Sequence, residues 1–269
     1  MSASSSGRTA AFVAAQAEAH DASIVGATDD ALTVELRLRR ASGRRKTYRL
    51  TIDTRGLEPR VREAESEHLP RFCPNRHLSD DGWFCLNYSE EDPHPVHDTE
   101  SATAFWGRLL KYLTLQETTT VLRRWPSTHD WAHGLAAGAQ ARAERAAAAL
   151  GSAFSVALDR RRLKAVHQKG SPFILLLDGQ RRLCSLWVDL RRVATLRQLC
   201  LCDSGRALAC CGDHADQAAA LTLALMDWER QEQRFWEYAK DRPCCGQLDV
   251  CPLKPSETQN PTDELAEAA

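Results

Sequence analysis

The chain has 269 residues, 43% of them hydrophobic, and 35 Lys+Arg against 36 Asp+Glu give a net charge of −1. That is room for one large domain or two small ones, and the balance of charge excludes a bulk basic field for gripping nucleic acid. No apolar run reaches the ~20 residues of a membrane-spanning helix. The N-terminal MSASSSGRTAAF lacks the apolar core of a secretion signal, so the expected location is the cytoplasm. In that reducing compartment the ten cysteines are expected to be thiols, metal ligands or nucleophiles rather than a disulfide framework.

Residues 1–8 are small and polar and read as a disordered start. Residues 9–20 are Ala-rich and helical in composition. Leu32, Val34, Leu36 and Leu38 then alternate with polar residues, as do Tyr48, Leu50 and Ile52. That is the period of half-buried strands, and Ser42-Gly43 between them makes a hairpin the simplest reading. Residues 56–98 carry Pro59, Pro70, Pro74, Pro93 and Pro95 with little periodicity. An irregular stretch of that length, with one strand in it at most, points to function. A helix is expected over about 100–122, with Phe105, Leu109 and Tyr112 on one face and Trp125-Pro126 stopping it. Another is expected over 135–150.

Beyond residue 150 a strand is expected at 153–158, and after it a hairpin. In the hairpin Phe173 to Leu177 runs into the Asp178-Gly179 turn, and Cys184, Leu186, Val188 and Leu190 alternate after it. A long helix over 215–241 and a Cys-rich turn follow, with a polar tail from 255. The expected division is 1–8 disordered, 9–150 a first domain, 151–254 a smaller Cys-rich α+β module and 255–269 a disordered tail. The order of elements argues against a doubly wound α/β fold, which needs alternating βα units. No Gly-rich phosphate loop is present.

Cys85 holds the chemical interest. It follows the Asp80-Asp81-Gly82 turn in the Pro-rich stretch, with Asn75, His77, Asn87 and Tyr88 close in sequence. Taken alone, a cysteine is more often an inert buried thiol. A thiolate nucleophile, however, needs such polar neighbours to steady its intermediate. The segment resembles the active-site region of ubiquitin-conjugating (E2) enzymes, whose signature is His-Pro-Asn, a short linker and Gly-x-x-Cys-Leu. Here Cys73-Pro74-Asn75 stands in the first position and Gly82-Trp83-Phe84-Cys85-Leu86 in the second. Over roughly residues 8–150 the order of elements agrees. The CPxRH, DGxFCL and WxHG elements look more like the divergent bacterial E2-like proteins of antiphage operons, which also encode a ubiquitin-like protein, an E1-like adenylating enzyme and a peptidase.

The resemblance implies an α+β, UBC-like antiparallel meander sheet flanked by helices, with Cys85 as acyl acceptor. It implies an E1-like enzyme, a ubiquitin-like modifier and a target protein as partners, and no membrane or nucleic acid. In the family the asparagine lies eight residues before the cysteine. Here His77 lies eight before Cys85 and Asn75 ten before. Either Asn75 keeps the role across an insertion, or His77, which can donate to an oxyanion or act as a base near neutral pH, replaces it. Asp80, Asp81, Glu90, Glu91 and Asp92 could orient an incoming lysine, or be a solvated acidic loop. Trp125, Trp131 and His133-Gly134 read as packing residues.

The transfer step requires no cofactor, but the C-terminal cysteines invite a structural zinc. Cys244, Cys245 and Cys251, in a turn, are the best-placed ligands, with a fourth from Cys200, Cys202, Cys210 or His214. The alternative is a set of buried thiols, with Cys184 and Cys200 in the core and Cys73 structural. Two other functions stay open: a thiol redox enzyme or sensor using Cys85, and a non-catalytic E2-like zinc-bearing binding protein.

Overall fold

In the computed structural model the structure describes residues 5–40, 43–126, 131–194, 199–200 and 206–254. The chain divides into two compact units, residues 1–128 with 239–269, and residues 129–238. No helix among the described residues is long and apolar enough to cross a membrane.

The first unit is a meander. Strands β1 (Ala22–Ala27), β2 (Ala31–Arg39), β3 (Arg45–Asp53) and β4 (Arg60–Glu63) pair antiparallel in chain order. The register sets Leu32 opposite Ile52, Val34 opposite Leu50 and Leu36 opposite Tyr48. All six are buried, so the alternation seen in the sequence is the inner face of this sheet. Helix α1 (Ser5–Ala15) and helix α2 (Thr99–Leu122) belong to this unit. A capping box at Asp98 and Ser101 starts α2, with the Ser101 amide donating to Asp98 Oδ1 at 2.8 Å. Its Phe105, Trp106, Leu109, Tyr112 and Leu113 enter the core. Trp106 Nε1 donates to the Val13 carbonyl of α1 at 3.0 Å.

One expectation shifts here, and one strand was not anticipated. Helix α1 begins at Ser5 rather than after residue 8, and buried Thr9 donates to the Val96 carbonyl at 3.3 Å; residues 1–4 lie outside the described residues. Strand β1 carries no clear alternation in the sequence, its six residues including Ala22, Gly26 and Ala27, and its register slips between Ile24 and Gly26.

The second unit holds helices α3 (Ala136–Leu150), α4 (Ser152–Asp159) and α5 (Ala215–Ala239). Its own antiparallel sheet has β5 (Leu163–His167), β6 (Phe173–Asp178), β7 (Arg181–Trp187) and β8 (Arg192–Val193) in that order. The expected hairpin is β6–β7, turning at Gly179, whose φ is 60°. The strand expected at 153–158 is instead α4. Phe154, Ala157 and Leu158 are buried at helical spacing while Val156 is 45% exposed, so one helical face rather than a strand face is covered. The boundary expected at 150 falls at 128/129. Helix α3 shares the second core through Ala143, Ala146 and Ala147. At the other end, residues 239–254 belong to the first unit. The tail 255–269 lies outside the described residues.

Candidate active site

Residues 73–85 fold as two short reversals. Cys73 bridges Leu78 and Leu78 bridges Phe84, with 3-10 turns at Pro74–Arg76 and Asp80–Gly82. Asp81 (φ 60°) and Gly82 (φ 76°) take left-handed backbone in succession. Glycine adopts that conformation without strain, which is why the second position of this turn suits it. The Phe84 amide donates to the Val61 carbonyl of β4 at 2.8 Å. Its buried ring stacks on Tyr112 of α2 at 4.8 Å. With Phe84 turned inward, Cys85 is exposed, and its own amide donates to the His77 carbonyl at 2.9 Å.

What fixes the first reversal is Arg76, fully buried. Its Nε donates to Gln116 Oε1 at 2.8 Å, and its other nitrogens reach the Gln116 carbonyl at 3.4 Å, Thr120 Oγ1 at 3.3 Å and Gln247 Oε1. In return Gln116 Nε2 donates to the Arg76 carbonyl at 2.6 Å, and Tyr112 donates to the His77 carbonyl at 3.0 Å. A buried guanidinium is costly unless its donors are met, so this network determines one geometry for residues 74–78. Arg76 and Gln116 were missed in the sequence. The signal was a glutamine in the middle of the apolar face of α2, where a polar side chain implies a buried partner.

Cys85 keeps a solvent-accessible face, but the protein atoms crowding its thiol displace bulk water and push its pKa up to about 11. Hydrogen bonds from Ser79 and the charge of Arg60 act in the opposite sense without overcoming that crowding. Arg60 and Arg62 lie over the Trp83 ring at 4.5 and 4.8 Å, which places cationic side chains beside the cysteine segment.

Both candidate oxyanion donors sit on the Arg76-anchored reversal. Asn75 is half-buried in the 3-10 turn, and His77 caps it in left-handed backbone at φ 53°. The His77 ring lies 5.0 Å from that of Trp125, which in turn lies 6.2 Å from Tyr112. Trp125 therefore packs as expected. After Cys85, Glu58 staples the loop: it accepts from Asn87 Nδ2 at 3.2 Å, from Ser89 and from the His94 amide at 2.9 Å. Of the acidic residues, Asp92 pairs with His94 at 3.1 Å, Asp80 with Arg242 at 3.2 Å, and Glu90 accepts from Tyr88 at 2.7 Å.

The Cys-rich turn lies in this unit too. Cys245 Sγ is 3.3 Å from the buried Cys73 Sγ. The two thiols are coupled: their hydrogen bond favours the thiolate on Cys245, helped by the charge of Arg76, while that bond and burial drive Cys73 up. Cys251 interacts with Cys244. Among the described residues, however, the three donor atoms that converge to within 4.8 Å of one another belong to Cys200, Cys211 and His214 of the second unit. Cys210 is exposed, Cys184 is buried in the second core, and Cys202 lies outside the described residues. Trp131 and His133 belong to the second unit. The His133 ring stacks on Phe235 at 4.7 Å and its Nδ1 meets Glu232 Oε1 at 2.8 Å.

An antiparallel meander with an outward cysteine after it, joined to a separate Cys-rich unit, is the arrangement of an E2-like protein. Residues 20–127 match the family of the prokaryotic E2 domain (E2-ntca), and residues 132–253 match a cysteine-rich domain C-terminal to E2 domains (E2-Crich). The chain belongs to the prokaryotic E2-like proteins that carry this cysteine-rich extension. Neither the curated proteins nor the solved structures contain a significant match.

Proposed function

We propose that this protein is a conjugating enzyme that carries a ubiquitin-like modifier as a thioester on Cys85. The observation that carries the reading is the exposure of Cys85 at the end of a reversal held rigidly by Arg76, Gln116 and Tyr112. In the first step the Cys85 thiolate attacks the carbonyl carbon of the thioester joining the modifier C-terminus to an E1-like enzyme. The E1 thiolate leaves and a new thioester forms. In the second step a target amine attacks the same carbonyl, the Cys85 thiolate leaves, and the amine gives up a proton. Both steps pass through a tetrahedral oxyanion, and one well-placed donor to it is worth ~2.7–4 kcal/mol. Asn75 and His77 are the two candidates.

Exposure without a depressed pKa also separates this reading from a redox sensor. Such a sensor needs an accessible low-pKa thiol with a resolving partner, whereas Cys73 is buried against Cys245. The CPxRH, DGxFCL and WxHG elements extend the proposal to antiphage defence. In that case Cys85→Ala in the native operon abolishes protection in a plaque assay.

The decisive experiment mixes the protein with its E1-like enzyme, its modifier and ATP. A reductant-labile adduct on Cys85 is expected, absent in Cys85→Ala and replaced by a reductant-resistant oxyester in Cys85→Ser. Whichever of His77→Ala and Asn75→Ala removes the oxyanion donor forms the adduct but slows transfer to lysine ~10²–10³-fold. An adduct that survives Cys85→Ala and maps to another cysteine overturns the assignment.

A further inference from the structure

The Cys-rich unit contains a cluster that the conjugation reading does not use. The Leu199–Ala207 bridge and the bond from the Cys200 amide to the Arg206 carbonyl, 2.8 Å, bring Cys200 toward the start of α5. There Cys211 and His214 sit three positions apart on the chain, joined by the His214 amide to Cys211 carbonyl bond at 3.2 Å. Cys200 Sγ lies 3.3 Å and Cys211 Sγ 3.4 Å from the same atom, His214 Nδ1. The three donor atoms all fall within 4.8 Å of one another.

We infer that Cys200, Cys211 and His214 form a metal site for zinc. The two S···N distances, 3.3 and 3.4 Å, fall slightly short of the edges of a zinc tetrahedron. Zinc–sulfur bonds near 2.3 Å and zinc–nitrogen bonds near 2.05 Å make that edge about 3.5–3.6 Å. Hydrogen bonding accounts for the cluster less well. One imidazole nitrogen offers either a single N–H or a single lone pair, so it makes one good bond to a thiol, not two. A cation can instead take one donor atom from each of the three residues. Burial points the same way, since both cysteines are buried and Cys200 and His214 line an apolar pocket with Leu150, Phe154, Leu176 and Leu208. Binding releases one proton from each thiol and leaves His214 neutral. Two thiolates then balance a divalent ion, and a site of zero net charge suits apolar surroundings. Thiolate with imidazole favours zinc over calcium or magnesium, which take oxygen ligands. The short Cys211-x2-His214 spacing is of the kind zinc sites use, and Cys200 completes the face from a distance.

The site is independent of Cys85, and its test reads metal rather than conjugation. Full-length protein, purified under reductant without chelator, is expected to hold one equivalent of zinc at Cys200, Cys211 and His214. After exchange with cobalt it should show intense tetrahedral absorption with thiolate-to-cobalt charge transfer. Cys200→Ser/Cys211→Ser should lose that zinc and that band. His214→Ala should weaken binding at least tenfold and His214→Cys should retain it, so misfolding is distinguished from ligand loss. Cys244→Ser/Cys245→Ser/Cys251→Ser should leave the zinc and the cobalt spectrum in place. Wild-type protein that is metal-free and takes up neither ion overturns the assignment. So does metal that survives Cys200→Ser/Cys211→Ser and departs with the Cys244, Cys245 and Cys251 substitutions.

Discussion

The crowded thiol of Cys85 sets its own pH dependence. A cysteine at the ordinary value of 9.0 is ~1–10% thiolate between pH 7 and 8. At a pKa of about 11, two units above the ordinary value, the thiolate fraction falls ~100-fold, and it rises ~10-fold per pH unit until the pKa is approached. Alkylation by iodoacetamide, followed at Cys85 by peptide mass spectrometry from pH 7 to 11, measures this directly. The expected profile is a straight log-linear climb with no plateau below about pH 10. At pH 8 the native rate should lie far below that of the same cysteine in denaturant, by up to ~100-fold. Ser79→Ala removes a hydrogen bond that favours the thiolate and should slow the native reaction further. A native rate equal to the denatured one, or a plateau by pH 9, would refute the reasoning. It would mean that the accessible face of the residue, rather than the atoms around its sulfur, governs the thiol.

Two further outcomes test the scaffold around that site. Arg76→Met leaves the acceptors on Gln116 and Gln247 without their donor and should destabilise the first unit by about 2–4 kcal/mol in urea titration. Arg76→Lys should not restore it, because an ammonium cannot match the guanidinium fork. Glu117 receives bonds from Lys46 Nζ at 2.7 Å and from Tyr48, and pairs with Arg40 at 2.6 Å. Burial raises its carboxyl, but these hydrogen bonds and charges outweigh burial and hold it below the ordinary range. Because the folded value is depressed, its contribution is present above the unfolded pKa and is lost as pH falls through the folded one. Glu117→Gln should therefore lower stability by about 1–3 kcal/mol at neutral pH, and the gap from wild type should close on acidification below about pH 4.

Much of the fold could be read from periodicity because those signals are local. The alternation at Leu32–Leu38 and Tyr48–Ile52 is the buried face of β2 and β3, and the spacing over 100–122 is α2 to within a residue. The Asp178-Gly179 turn likewise located the β6–β7 hairpin. At 153–158 a short apolar run fits either period, and only burial of Phe154, Ala157 and Leu158 on one side decides for helix.

The segment bearing Cys85 was legible as a motif, but its geometry was not. Arg76 is a charged residue in a loop, and nothing local says that it is fully buried against Gln116. Cys73 and Cys245 are 172 positions apart in the chain and in contact in space, and Cys200 meets His214 across a loop closed by the Leu199–Ala207 bridge. Residue type and spacing determine which elements form, because backbone geometry repeats over a few residues. Which cysteines meet, and which charge is taken out of water, depends on closing long loops against a core, and only the tertiary structure decides that.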